Sequence, residues 1–83
     1  MQKEFLLDRI AVNPDVMAGK PVIKGTRIPV QLVIQMLADG LSKEEILSEY
    51  PRLQTADITA CLIFAAETLN QSSFGSLDNI ARS

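Results

Sequence analysis

Between positions 30 and 69 the apolar residues recur at helical spacing; before position 30 they do not. Val30, Val33, Ile34 and Leu37 fall at i, i+3, i+4 and i+7, which predicts an amphipathic helix that Gly40 stops. Ser42-Lys43-Glu44-Glu45 reads as a capping box, with serine at the N-cap and glutamate three residues on. It opens a second, short helix that carries Ile46 and Leu47. Tyr50-Pro51 ends it, because a residue before proline disfavours α geometry. A third helix begins at Gln54 or Thr55, and Ile58, Cys61, Leu62, Ala65 and Leu69 form its expected core stripe. Asn70 to Ser83 is Ser/Asn-rich and reads as a flexible tail with three spaced apolar residues, Phe74, Leu77 and Ile80.

Upstream the pattern is that of an extended arm. Arg9-Ile10-Ala11-Val12 alternates like a short strand. Asn13 suits an N-cap, Pro14 a first helical position and Gly19 a stop, so residues 13–19 predict a single helical turn. Next, Lys24-Gly25 separates two β-branched runs, where a tight turn would use Gly25 for a positive φ. Pro21 and Pro29 at the two ends suit only an edge or a two-stranded element. The expected organisation is one domain over residues 5–69, with a β arm (5–30) and helices (30–69), followed by the tail (70–83).

A short helix joined by a Pro-containing turn to a longer one, after an amphipathic helix, is the outline of a helix-turn-helix. The third helix is an unusual recognition helix, however. From Thr55 to Leu69 it has no basic residue and carries Asp57 and Glu67, whereas base edges are read by Arg, Lys, Asn or Gln. It is also apolar nearly all round, with Ala60, Ile63, Phe64 and Ala66 off the core stripe. A chain this short covers one side. The other, centred on Ile63 and Phe64, is expected to meet a partner chain, most simply a two-fold mate, with the tail folding back as the alternative.

Composition supports association. The 83 residues allow one domain, and area scaling gives about 4,900 Å² folded against about 13,200 Å² unfolded, a burial of only about 63%. One cysteine cannot close an intramolecular disulfide, and with no histidine there is no zinc set. The missing imidazole also removes the usual base and the Ser-His or Cys-His nucleophile. No catalytic residue, metal or cofactor is therefore expected. The longest apolar run, Ala60 to Ala66, is far short of the ~20 residues needed to cross a bilayer. Glu4 and Asp8 interrupt the place of a signal peptide's apolar core, so a cytoplasmic location is expected.

The net charge of −2 argues against a generic polyanion binder, yet the charge is uneven. Lys20, Lys24 and Arg27 stand in a stretch without acids between Asp15 and Asp39, and Asp39, Glu44, Glu45 and Glu49 then face only Lys43. The glycines and lysines of the basic stretch do not have phosphate-loop spacing. An extended basic arm can touch nucleic-acid phosphates, with its three charges doubled in a dimer. It can equally pack against its mate's arm, with Arg27 on buried carbonyls.

The run Arg9-Ile10 … Asn13-Pro14-Asp15-Val16-Met17-Ala18-Gly19-Lys20-Pro21-Val22-Ile23-Lys24-Gly25-Thr26-Arg27-Ile28-Pro29-Val30 strongly resembles the small bacterial family known as domain of unknown function 433. So do Gly40-Leu41-Ser42, Glu44-Glu45-Ile46-Leu47, Tyr50-Pro51 and Ala65-Ala66-Glu67. The resemblance covers about residues 5–69. It implies a mainly α, homeodomain-like or winged-helix-like helix-turn-helix fold of three helices with a short N-terminal β arm. It further implies a homodimer, a role as a VapB-type antitoxin, and a PIN-like ribonuclease toxin as partner, with repression of its own operon through operator DNA. The family tends to have Thr at the position of Gln54, a charged residue at Thr59 and a small one at Ile63; here Thr55 is the expected cap instead. On this reading Lys20, Lys24, Arg27, Arg52 and Thr55 are candidates for DNA contact, and Ile28, Ile63 and Phe64 for the dimer interface. Phe74, Leu77, Ile80 and Arg82 are candidates for toxin binding, Arg82 through acidic metal ligands in a nuclease cleft. A stand-alone DNA-binding regulator is the alternative.

Overall fold

In the computed structural model, which describes residues 2–71, the chain is mainly helical with one small antiparallel sheet. The elements run α1 (Gln2–Leu7), β1 (Ile10–Ala11), a 3₁₀ turn (Met17–Gly19), β2 (Val22–Ile23), α2 (Val30–Ala38), α3 (Lys43–Glu49) and α4 (Thr55–Gln71). Ile10 pairs with Ile23 and Ala11 with Val22. A bridge from Val22 to Pro29 and a bond from Ile23 N–H to the Ile28 carbonyl fold the chain back on itself across Gly25. The sheet partner of β2 is therefore β1, and the proline-bounded run after Gly25 adds only the single bridge at Pro29, not a second strand.

The punctuation between helices follows local chemistry. Gly40, at φ +96°, ends α2 with the two bonds of a Schellman motif, Leu41 N–H to the Met36 carbonyl and Gly40 N–H to the Leu37 carbonyl, both 3.0 Å. The Ser42 capping box forms in full: Glu45 N–H donates to Ser42 Oγ (3.1 Å) and Ser42 N–H to Glu45 Oε1 (2.7 Å). Asn13 forms an Asx turn, its Oδ1 accepting from Asp15 N–H at 2.9 Å, but no helix starts at Pro14 for it to cap. The turn beyond it is less regular than a single helical turn, because Ala18 is left-handed at φ 56°, ψ 35°.

The core joins Ile23, the inner face of α2 (Val30, Val33, Met36), Ile46 of α3, Leu53, and Ile58 and Cys61 of α4. Ile46 is α3's one fully buried residue, an anchor worth roughly 1.5–3 kcal/mol, and Leu47 packs half-buried against the core beside it.

Two features depart from expectation. α1 lies inside the region read as an extended arm and packs along α4. Six residues are too few to show a period, and Phe5-Leu6-Leu7 is contiguous, so only its contact with α4 reveals the helix. The phase of α4 also differs: its buried residues are Asp57, Ile58, Ala60 and Cys61, while Leu62 and Leu69 of the expected stripe are 43% and 60% exposed. Ala56, Ala60, Ile63 and Glu67 share one face by helical spacing, all buried or half-buried, with Ala60 outside the main core cluster. Much of the side reserved for another chain is therefore covered from within.

Candidate nucleic-acid interface and apolar groove

The turn after β2 is built by Thr26. Its N–H (3.0 Å) and hydroxyl (2.7 Å) both donate to the Ile23 carbonyl, and its Oγ1 accepts from Ile28 N–H at 3.0 Å. Gly25, at φ +82°, holds the left-handed corner, where an added Cβ would meet nothing within 4 Å. The glycine is thus required by backbone conformation. On this rigid tip Lys24 and Arg27 are both exposed, and neither has a carboxylate partner among the described residues.

Arg52 reaches the same tip from the turn between α3 and α4. Its Nη2 donates to the Gly25 carbonyl at 3.1 Å. Three of the five cations and polar groups expected to contact DNA are therefore gathered at one place. Thr55 is exposed at the first position of α4, three residues beyond Arg52. Lys20 is not with them; it lines the groove described below.

A second polar arrangement, absent from the sequence-based expectations, fastens the arm to α4. Arg9 Nη1 donates to Asp57 Oδ1 at 2.9 Å, and Gln54 N–H donates to Asp57 Oδ2 at 2.8 Å. Lys24 N–H is bonded in turn to the Arg9 carbonyl at 2.7 Å, so the clamp and the basic tip share one stretch of backbone. Asp57 is 5% exposed and is the one buried polar or charged residue among those described. α4 accordingly starts after Gln54, and Thr55 is not its cap: the Asp57 half of a capping box works from the third helical position. That position was a readable cue for the cap. The Arg9 partner, 48 residues away, was not.

One turn further along, Cys61 is fully buried. Its burial, and secondarily the charge of Asp57, push the thiol up to about 12. It is a packing residue without thiolate character at neutral pH.

Between α2 and the C-terminal half of α4 lies an open groove of about 470 Å³. Ile34 and Ala38 form one wall, and Phe64, Ala65 and Leu69 the other. Pro21, Pro29 and Lys20 close one end. The expected dimer residues are thus separated. Phe64 is in this groove, Ile63 is on the half-buried face of α4 with Ala60, and Ile28 packs half-buried on the core from the turn. Phe74, Leu77, Ile80 and Arg82 lie outside the described residues. Among those described, no group of three His, Cys, Asp or Glu could hold a metal ion, and no helix is long and apolar enough to cross a membrane.

Residues 10–65 match the family described as "Protein of unknown function (DUF433)". The chain belongs to this family. The DUF433 match takes in the basic tip, Arg52 and Asp57, and it begins after α1 and Arg9. Over 56 residues the chain is 38% identical to the "Uncharacterized protein y4eO" of Sinorhizobium fredii, covering 68% of this chain and a quarter (25%) of that protein's length. Over 30 residues it is 53% identical to an "Uncharacterized protein" of Archaeoglobus fulgidus, covering 36% of this chain and 83% of that one. The crystal structure of a DUF433 member from Anabaena variabilis superposes with a TM-score of 0.72 at 29% identity, covering 82% of this chain and 67% of that chain.

Proposed function

We propose that this DUF433 chain is a VapB-type antitoxin: a non-catalytic, helix-turn-helix-like module that holds DNA through phosphates and restrains a PIN-like ribonuclease. In this reading α3, the Pro51 turn and α4 form the helix-turn-helix pair, homeodomain-like or winged-helix-like in class. The observation that carries it is the Arg52–Gly25 bond, which ties a third cation to the tip already bearing Lys24 and Arg27. Lys24 and Arg52 are both tied to main-chain carbonyls, of Arg9 and Gly25, which suits phosphate contacts that position a protein on a duplex without reading sequence. The third helix lacks basic residues, so base readout through it is not part of the proposal. A homodimer, its contact centred on the exposed Leu62 and Ala66 of α4, doubles the three charges to six. Phe74, Leu77, Ile80 and Arg82 of the tail engage the ribonuclease. The cytoplasm is the corresponding compartment.

A salt series of gel shifts on the duplex upstream of its own reading frame tests the DNA arm. Binding is expected to weaken steeply with salt, and Lys24→Ala or Arg27→Ala to lower the log–log slope by about one each. A flat salt response refutes it. Co-purification with the PIN-like product of an adjacent reading frame tests the toxin arm. DNA binding without ribonuclease binding would instead support the stand-alone regulator, which the same basic tip also favours.

A further inference from the structure

We infer that Asp57 is the positioning residue of the basic tip: from the buried start of α4 it sets the separation at which Arg52 meets Lys24 and Arg27. Four hydrogen bonds close a ring through these segments. Arg9 Nη1 donates to Asp57 Oδ1 at 2.9 Å, and Lys24 N–H donates to the Arg9 carbonyl at 2.7 Å. Next to Lys24, the Gly25 carbonyl accepts from Arg52 Nη2 at 3.1 Å. Just beyond Arg52, Gln54 N–H returns to Asp57 Oδ2 at 2.8 Å. One carboxylate thus holds both ends, the arm by one oxygen and the turn between α3 and α4 by the other.

The four bonds are not equally secure. Arg52 and Gly25 are exposed, and a bond at the surface replaces bonds to water for a small net gain. That contact alone does not fix two segments 27 residues apart. Asp57 is buried, and so is Leu53, which stands between Arg52 and Gln54. Charge-assisted bonds away from water are stronger and hold their geometry. The surface bond therefore takes its geometry from the buried end of the ring. Charge is divided to match. Asp57 is matched by Arg9, while Lys24, Arg27 and Arg52 have no carboxylate partner among the described residues. Arg52 keeps further N–H donors, beyond the one on Gly25, to meet a phosphate. This role rests on the reading of the tip as a phosphate-contact surface and deepens it.

The test is a cycle in the full chain: salt series of gel shifts on the same upstream duplex for Asp57→Asn, Arg52→Ala and the two together, at a temperature where circular dichroism shows every variant folded. Loss of an acid by itself tightens binding to a polyanion. Asp57→Asn is expected to weaken it instead and to lower the log–log slope by about one, as Arg52→Ala does. The double variant is expected to lose about one and not about two, because both changes remove the same phosphate contact. Arg9→Met keeps the carbonyl on Lys24 and removes the link to Asp57, so it is expected to show the same non-additivity with Arg52→Ala. Unchanged or tighter binding by Asp57→Asn, or slope losses that add, overturns the inference. Amide hydrogen exchange separates this outcome from a failure of the DNA reading. In Asp57→Asn, Lys24 N–H is expected to exchange about tenfold faster relative to Ile46 N–H, which is bonded to the Ser42 carbonyl in α3. A flat salt response in the parent refutes the DNA reading alone. Equal acceleration at Lys24 and Ile46, or none, refutes the positioning by Asp57.

Discussion

Replacing Asp57 with alanine removes two bonds at once and strands their donors. Gln54 N–H loses its acceptor at 2.8 Å, a cap-type interaction worth about 1 kcal/mol. Arg9 loses its ion pair at 2.9 Å. A buried charge-assisted bond is worth about 1.5–3 kcal/mol, but the Arg9 side chain is 33% exposed, so water screens the pair and a value of about 1–2 kcal/mol is appropriate. The total is about 2–3 kcal/mol. Against roughly 4–12 kcal/mol for a domain of 83 residues this is a large fraction. In a thermal melt followed by circular dichroism, Asp57→Ala is expected to lower Tm by about 8–24 °C. Asp57→Asn, which keeps an acceptor for Gln54 and loses the charge, should fall between it and the parent. Arg9→Ala and the double variant complete a cycle with an expected coupling of about 1 kcal/mol. If the two single changes add to within about 0.3 kcal/mol, the pair has no energetic standing and the clamp between arm and α4 is refuted.

Further expectations follow from three particular residues. Cys61, with a thiol held near 12 against the ordinary 9.0, should alkylate at pH 8 about a thousandfold more slowly in the folded chain than in urea. Its folded value is raised, so its contribution to stability is intact below pH 9 and falls by about 1.4 kcal/mol per unit up to about 12; the difference in melting between parent and Cys61→Ala at pH 8 and pH 10.5 measures it. Ala18→Gly relieves a left-handed alanine and should gain about 0.5–1 kcal/mol in urea unfolding. Gly40→Ala should lose about 1–2 kcal/mol purely through its backbone, since the new Cβ touches nothing within 4 Å; equal effects of the two changes would contradict the assigned backbone angles.

What could be read from sequence was chemistry that acts over a few residues. The Ser42 box, the Gly40 stop and the Gly25 turn depend on neighbours, and each appears where its residues stand. The phase of α4 was not legible, because a helix apolar on nearly every side offers no unique face. Asp57 decides it. Reading a carboxylate as solvent-facing turns Leu62 inward; pairing that carboxylate with Arg9 buries it and rotates Leu62 and Leu69 outward. A second long-range contact builds the basic tip. Arg52 was a candidate only as an isolated charge, and its bond to the Gly25 carbonyl, 27 residues away, is visible in three dimensions alone. Lys20 shows the converse: close in sequence to Lys24, it belongs to a different surface.

The packing of α1 against α4 joins the two ends of the described residues, and this sets a timetable for their synthesis. Leu6 and Leu7 are synthesised early, yet the helix that covers them is complete only at Gln71, 64 residues after Leu7. At about 5–20 residues per second, that is a wait of roughly 3–13 s. Throughout that interval the apolar start of the chain has no permanent neighbour, and Arg9 has no Asp57 until the last helix begins to emerge. The contact between α1 and α4, and with it the Arg9–Asp57 pair, is thus among the late-formed parts of this fold during synthesis.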